Sequence, residues 1–449
     1  MAPALTRVNS RSCDVKSFTF PQHIRVRWRV FGILFAFALI AYVQQKSITI
    51  AAARMMPELG LSQLQIGWLE QAFILGYTIF QLPSGLIGQR LGARVAYTLS
   101  GLTAFVAAIA TPLLPMFVAG AHVFLALAVA QFVLGIGQGG RFPVASGVYA
   151  TWFPFRQWSL VQGLATVAIS LGAALTPPLI ATLTIEVGWQ RAVAWASCPA
   201  LLILGVWFWY ARNTPQEHWA VSSAELAELN DGRHVPVDSA IGGRRLLRIL
   251  ASRNTILLTG SYIIMNYCFY LLSNWCFLYL IQERHLSIAE SGWLATGPPL
   301  AAALGAAIGG ALAGKLCARF GVAWGFRIVP LVALPIAAAL LVVAMQAEGP
   351  YAAVAALTMC FGCLELTEGS FWGASMAVGQ GDTMAISGIV NTGGCLGGII
   401  GIPIIAYLSG HHSWKAAFVI GSLTAVVSAL LWLGINASQA ANNDTIAAS

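Results

Sequence analysis

The sequence predicts an all-α integral membrane protein with twelve transmembrane helices in two pseudo-symmetric bundles of six. Three observations lead there. Of the 449 residues, 58% are hydrophobic and 9% charged, with mean hydropathy +0.76, where a soluble chain carries roughly a quarter charged residues. Apolar runs of about 20 residues, the length that crosses a bilayer, recur twelve times. One long polar segment divides these runs six and six. The spans are read as helices, because a lone strand in lipid leaves its backbone unpaired.

Residues 1–28 hold Arg7, Arg11, Lys16, Arg25 and Arg27 but no apolar stretch fit for a cleaved signal peptide, and read as a cytosolic tail. Spans one to six are expected at 29–52, 64–87, 93–114, 119–142, 158–184 and 189–211, forming an N-terminal bundle over 29–211. In the first, YVQQKS puts Tyr42, Gln45, Lys46 and Thr49 at i, i+3, i+4 and i+7, a polar face that needs a cavity rather than lipid. In the fifth, Thr176-Pro177-Pro178 is expected to interrupt the backbone ladder. Residues 212–254 form a cytosolic linker: SSAE (222–225) resembles a capping box opening a short helix, and RRLLRIL (244–250) reads as a basic amphipathic turn on the inner leaflet. Spans seven to twelve, at 255–280, 290–316, 325–346, 351–374, 385–409 and 414–436, form a C-terminal bundle over 255–436, followed by a cytosolic tail, 437–449.

Orientation follows from the basic residues. Arg90, Arg94, Arg156, Arg212, Arg233, Arg244, Arg245, Arg248, Arg253, Lys315 and Arg319 fall on the side of the N-terminal tail, against Arg54, Arg191, Arg284 and Lys415 opposite, so both termini are expected inside. The net charge of +8 is therefore topology, dispersed over loops, and excludes a nucleic-acid patch. No Ser/His or paired-Asp constellation, nucleotide loop or metal-ligand cluster is found, so no enzyme activity and no cofactor is expected. His122, His411 and His412 lie near outer loops, and His411-His412 lacks further ligands for a metal. Of the 8 cysteines, Cys198, Cys268, Cys276, Cys360, Cys363 and Cys395 lie within spans, Cys317 at a cytosolic edge and Cys13 in the tail; Cys360-Phe-Gly-Cys363 reads as small packing residues, and no structural disulfide is expected.

The halves read as repeats. Gly85-Leu-Ile-Gly-Gln89-Arg90 follows the second span and Gly310-Ala-Leu-Ala-Gly314-Lys315 the eighth, each a small residue, a four-residue step and a cation at a cytosolic helix junction. Parallel six-helix repeats build one large class of secondary transporters, with the solute site between the halves at the bilayer midplane. Gly85, Gln89, Arg90, Arg94 and Lys315 are the expected cytosolic gate. Gly305-x-x-x-Gly309, Gly310-x-x-x-Gly314, Gly393-x-x-x-Gly397 and Gly397-x-x-x-Gly401 let helices approach closely, as packing glue or as sliding surfaces.

Several stretches resemble the major facilitator superfamily and, within it, the anion:cation symporters of hexuronates, galactonate and other organic anions. They are GWLEQAFILGYTIFQLPSGLIGQRLGAR (67–94), GIGQGGRFPVASGVYATWFP (135–154), GLATVAISLGAALTPPL (163–179), RNTPQEHWAVSSAEL (212–226) and SGIVNTGGCLGGIIG (387–401). The resemblance covers most of the chain and implies the major facilitator fold and organic-anion transport. It also implies a first span reading Tyr-x-x-Arg, whose Arg meets the substrate carboxylate, and a fourth span in which an Arg precedes a proton-coupling Glu by seven residues. Here Tyr42 is followed by Gln44 and Gln45, the fourth-span positions hold Gln131 and Gln138, and the acid of the loop signature is Gln89, with Gly314 as its counterpart. Gln keeps the hydrogen-bonding reach of Glu but does not titrate.

Relocated charge is visible. Lys46 lies one residue past the missing Arg, and Arg141 one turn past Gln138; an intramembrane cation faces a cavity or a partner, although Lys46 could snorkel outward and Arg141 could serve the cytosolic gate. Glu365 and Glu368, with Trp372, share a face of the tenth span and are the proton-coupling candidates; Glu70 lies early in the second. Tyr77, Asn266, Tyr267, Trp275, Tyr279 and Asn391 complete the expected lining. The leading reading is a monomeric secondary transporter of a small organic anion in an inner (plasma) membrane. The alternatives are an uncoupled facilitator of a neutral or cationic solute and a non-transporting receptor on the same fold.

Overall fold

The computed structural model describes residues 25–120, 122–230, 241–411 and 413–441. Arg7, Arg11, Cys13, Lys16, Arg233, His412 and the tail beyond residue 441 lie outside the described residues. The first half consists of α1 (Val26–Leu59), α2 (Gln63–Leu91), α3 (Ala93–Leu113), α4 (His122–Gln138), α5 (Arg141–Trp152), α6 (Trp158–Val187) and α7 (Trp189–Tyr210). Two short helices follow, α8 (Ser223–Asn230) and α9 (Gly243–Ala251). The second half consists of α10 (Arg253–Gln282), α11 (Ile288–Leu294), α12 (Gly297–Gln346), α13 (Pro350–Leu366), α14 (Glu368–Gly379), α15 (Thr383–Gly410) and α16 (Trp414–Leu431). They make the twelve crossings of the expected fold, with α4 and α5 sharing the fourth and α13 and α14 the tenth.

Helix α12 holds two crossings. Its 50 residues would run about 75 Å as one rod, but the chain turns at Gly321 (φ 78°), a backbone region open mainly to glycine. Beyond the turn a Cβ on Gly325 would lie 2.3 Å from Cα of Cys317, so the two arms pack backbone to backbone.

Several boundaries differ from the sequence reading. The fourth span does not stop at residue 142: α5 carries it to Trp152, where Pro154 forces Phe153 into extended backbone. The tenth breaks at Thr367 and continues to Gly379. The fifth is not interrupted at Thr176-Pro177-Pro178; α6 runs through, and the Thr176 hydroxyl donates to the Gly172 carbonyl at 2.6 Å.

The face carrying α8, α9 and the start of α1 is called here the linker side, its opposite the far side. The halves meet through α2 against α15 and α6 against α12, second span with eleventh and fifth with eighth, pairs exchanged by the pseudo-two-fold. The contacts are backbone-close. A Cβ would lie 2.4 Å from the Met384 carbonyl oxygen at Gly85, 2.2 Å from that of Ala306 at Gly163, 2.4 Å from that of Ser159 at Gly310 and 2.6 Å from that of Arg156 at Gly314. All four lie toward the linker-side ends of their helices. The glycine pairs thus divide in use: Gly310 and Gly314 form the seam between halves, whereas Gly305 and Gly309 press on Gly362 and Leu366 of α13 and Gly397 on Ile263 of α10, within one half.

The linker helices strap this side. Ser222 accepts from the Glu225 amide at 3.2 Å, opening α8 as the motif predicts. The Glu225 carboxylate caps a different helix: it accepts from the backbone N–H of Val26 (3.3 Å) and Arg27 (3.2 Å), two donors that the start of α1 leaves without helical partners. Glu228 pairs with Arg25 and, at 3.0 Å, with Arg27. At the other half, Arg245 of α9 pairs with buried Asp382, at the start of α15, at 3.0 Å.

Candidate functional site

Between the halves, on the far side of the glycine seam, lies a cavity of about 730 Å³. The polar face of α1 enters it as its period requires: Tyr42, Gln45 and Lys46 line the cavity, while Gln44 is turned into the protein and buried. Lys46 does not snorkel away. Its ammonium lies 3.5 Å from Glu70 of α2, which also accepts from the Thr49 hydroxyl at 2.6 Å.

Arg141 opens α5 in mid-crossing, not at the helix end where a gate contact would place it, because α5 continues for a further three turns. Its side chain lines the cavity and is 8% exposed. The guanidinium lies over the rings of Phe142 (5.3 Å) and Tyr77 (5.6 Å) and donates to Gln138 Oε1 at 3.3 Å. Gln138 in turn donates to the Ala41 carbonyl at 2.9 Å. Expected to touch solute, Gln138 instead stands behind the wall, with both amide atoms engaged by α1 and Arg141; it orients the cation. Tyr77 faces the cavity and accepts from Asn391 Nδ2 of α15 at 3.3 Å, linking the two halves.

The opposite wall carries the acids. Glu365 lies in the last turn of α13 and Glu368 opens α14, 3% and 6% exposed, both facing the cavity. Glu368 accepts from Trp372 Nε1 at 2.7 Å and Tyr262 Oη at 3.3 Å. Trp372, expected in the lining, is buried behind Glu368 and stacks on Phe142 of the other half at 5.1 Å. Tyr267 is also turned away: its hydroxyl donates to the Ala417 carbonyl of α16 at 3.3 Å, because successive residues of α10 face different neighbours. Tyr279 likewise leaves the site and accepts from Arg284 at 2.7 Å. Asn266 and Trp275 do line it. Among the described residues no carboxylate pairs with Arg141 and no cation pairs with Glu365 or Glu368. Nor do they include a cluster of metal-ligand side chains.

The sequence reading missed Gln71, Tyr262, Phe269, Tyr270, Ser273 and Asn274, and did not count Glu70 as lining. A signal was present: Glu70, Phe73, Ile74 and Tyr77 repeat at i, i+3, i+4 and i+7, and Tyr262, Asn266, Phe269 and Ser273 at i, i+4, i+7 and i+11.

The expected gate residues separate into two groups. Gly85 and Gln89 lie in the seam, Gln89 donating to the Gly381 carbonyl of the other half. Arg90 and Lys315 are exposed, and Arg94 donates to the Phe208 carbonyl of its own half at 2.9 Å. These three cations point out of the seam because it is sealed by glycine against backbone, which leaves no room for long side chains.

The sequence profile of the Major Facilitator Superfamily matches residues 34–383. The chain belongs to the major facilitator superfamily. It is a multi-pass membrane transporter of a small-molecule solute and not an enzyme. It is 26% identical over 425 residues to a probable sulfoacetate transporter of Cupriavidus necator, covering 92% of this chain and 95% of that protein. It is also 26% identical to the hexuronate transporter of Bacillus subtilis (88% and 92% covered) and to a probable L-galactonate transporter of Escherichia coli (91% and 89%). Among solved structures the transporter superposes on the proton:xylose symporter XylE with TM-score 0.73 at 12% identity (94% and 99% covered). It superposes on FucP in the outward conformation with TM-score 0.64 at 18% identity (91% and 99%).

Proposed function

We propose that this transporter carries a small organic anion across a plasma membrane by alternating access, with Arg141 receiving the carboxylate. The observation that carries the reading is a cation, nine-tenths buried, facing the central cavity with no carboxylate among the described residues to neutralise it. Such a charge is costly in a membrane unless a ligand completes it. The relatives named for sulfoacetate, hexuronate and L-galactonate support an acid as the solute. Lys46, held by Glu70, contributes less net attraction than its charge alone would. Tyr42, Gln45, Tyr77, Asn266 and Asn391 offer hydrogen bonds to the rest of the solute, and Trp275 an apolar face.

The linker side is taken as cytosolic from the distribution of Lys and Arg, which makes the described state outward-facing, sealed at Gly85, Gln89 and the α6–α12 contact. Glu365 and Glu368 are the coupling site: a proton taken up there removes charge that would repel the incoming anion. The unit is a monomer, each chain enclosing its own cavity.

The test is uptake of labelled glucuronate, galactonate, sulfoacetate and glucose into proteoliposomes, with and without an inward proton gradient, for the wild type and Arg141→Gln. Removing one partner of a desolvated charged contact costs about 2–5 kcal/mol, so acid uptake should fall by about thirtyfold or more. Acid uptake that survives Arg141→Gln undiminished, or glucose outcompeting every acid, overturns the anion reading. Accumulation that ignores the gradient removes the coupling role of the two glutamates and favours a facilitator.

A further inference from the structure

Arg141 and Glu368 are counterparts. Each is the first residue after a break in the fourth span of its own half, Arg141 after Gly139-Gly140 and Glu368 after Thr367. The pseudo-two-fold therefore sets a cation on one wall of the cavity against an acid pair on the other. Both sides are buried, both face the cavity, and neither is answered by protein charge: the described ion pairs leave Arg141 without a carboxylate and the glutamates without a cation. Among the described residues no hydrogen bond reaches the Glu365 side chain, whereas Glu368 is aimed by Trp372 and Tyr262. A purely anionic solute completes one wall and opposes the other.

The surroundings of the acid wall sharpen this. Tyr262, Phe269, Tyr270 and Phe361, all of the second half, line the cavity, with Tyr262 bonded to Glu368 and Phe361 one helical turn before Glu365. Carboxylate together with aromatic faces is the combination that recognises an organic cation, by ion pairing and by cation–π attraction. The wall of the first half instead offers a guanidinium, with its geometry for a planar carboxylate.

We infer that the solute is amphoteric: an amino acid in the broad sense, its carboxylate on Arg141 and its ammonium on Glu365 and Glu368. This rests on the organic-anion reading and narrows it. A solute of this kind bridges the two halves and neutralises both buried charges at once, so closure over it leaves no unpaired charge behind.

The experiment compares matched probes that differ only in the cation. One series is the ω-amino carboxylates from 3-aminopropionate to 6-aminohexanoate against the ω-hydroxy carboxylates of equal length; the other is D-glucosaminate against D-gluconate. Each is measured as a competitor of labelled-acid binding to the detergent-purified full chain, in the wild type and in Glu365→Gln/Glu368→Gln. The expected result is that at least one amino probe outcompetes its hydroxy partner tenfold or more in the wild type, and that the preference collapses or reverses in the double variant. Hydroxy probes binding as well as or better than amino probes overturn the inference and leave the anion reading standing. An amino preference that persists in the double variant overturns the assignment to the two glutamates. No acid of either kind binding overturns both readings.

Discussion

Replacing Gly163 by Ala should tip the transporter away from the state described here. A Cβ at Gly163, on α6 of the first half, would lie 2.2 Å from the carbonyl oxygen of Ala306, on α12 of the second. That is more than 1 Å inside a heavy-atom contact of about 3.5 Å, and the obstacle is backbone, so the helices themselves must part. Overpacking of this kind costs about 1–3 kcal/mol. On the alternating-access reading the contact exists only while the linker side is sealed, so the penalty falls on that state alone and displaces the equilibrium about 5- to 150-fold. Gly305→Ala is a matched control, because its Cβ would also lie 2.2 Å from a carbonyl oxygen, that of Gly362, but within one half. It should lower stability in both states and leave their balance alone. Cys395 lines the cavity, so its modification rate by a membrane-impermeant methanethiosulfonate, resolved by mass spectrometry, reports access from the far side. From an evenly populated wild type the rate should fall about threefold or more in Gly163→Ala, and it should stay near wild type in Gly305→Ala. If Gly163→Ala lowers the melting temperature yet leaves Cys395 labelling unchanged, the α6–α12 seam does not open in the cycle and the reasoning fails.

Three further outcomes can be checked. Glu225→Ala removes the acceptor for the Val26 and Arg27 amides and should destabilise the protein by about 0.5–2 kcal/mol, read as a lower melting temperature; Glu225→Gln, which keeps an acceptor, should lose less. Glu70→Gln releases Lys46 from its counter-ion and should raise the affinity for acidic solutes severalfold by titration, so a weakened affinity would show that Glu70 serves the site in some other way. His218 is buried among Trp152, Tyr210 and Trp219, its Nδ1 accepting from the Ala220 amide, and burial holds its pKa below the ordinary 6.5. Protons then bind the unfolded chain more readily, so its contribution is intact above pH 6.5 and is lost as pH falls through the lower folded-state value. His218→Gln should flatten that acid-side decline in melting temperature; an unchanged slope removes His218 as its source.

The fold was legible because it rests on local quantities. Span length and apolar content are fixed by bilayer thickness, and the polar segment at 212–254 marks the halves whatever their packing. The site was legible in part. The period of 3.6 brought Tyr42, Gln45 and Lys46 to one face, and the i, i+3 spacing paired Glu365 with Glu368. The same period could not tell which neighbour each face meets, so Tyr267 and Trp372 were expected in the cavity and lie outside it. Arg141 was ambiguous because α5 extends the fourth span well past the apolar run, and hydropathy does not register a crossing completed by small and aromatic residues such as those of RFPVASGVYATW.

The sequence by itself determined that this chain crosses a membrane as paired helical bundles, and that its rare intramembrane charges would have to face something other than lipid. Only the tertiary structure decided what they face. Arg141 and the Glu365–Glu368 pair are far apart in the chain and lie on opposite halves; their relation depends on how α2 and α6 seat against α15 and α12. That seating is set by glycine-to-backbone contacts such as Gly163 on Ala306 and Gly85 on Met384. Close approach of this kind is a property of two surfaces together, and neither surface writes it into its own stretch of sequence.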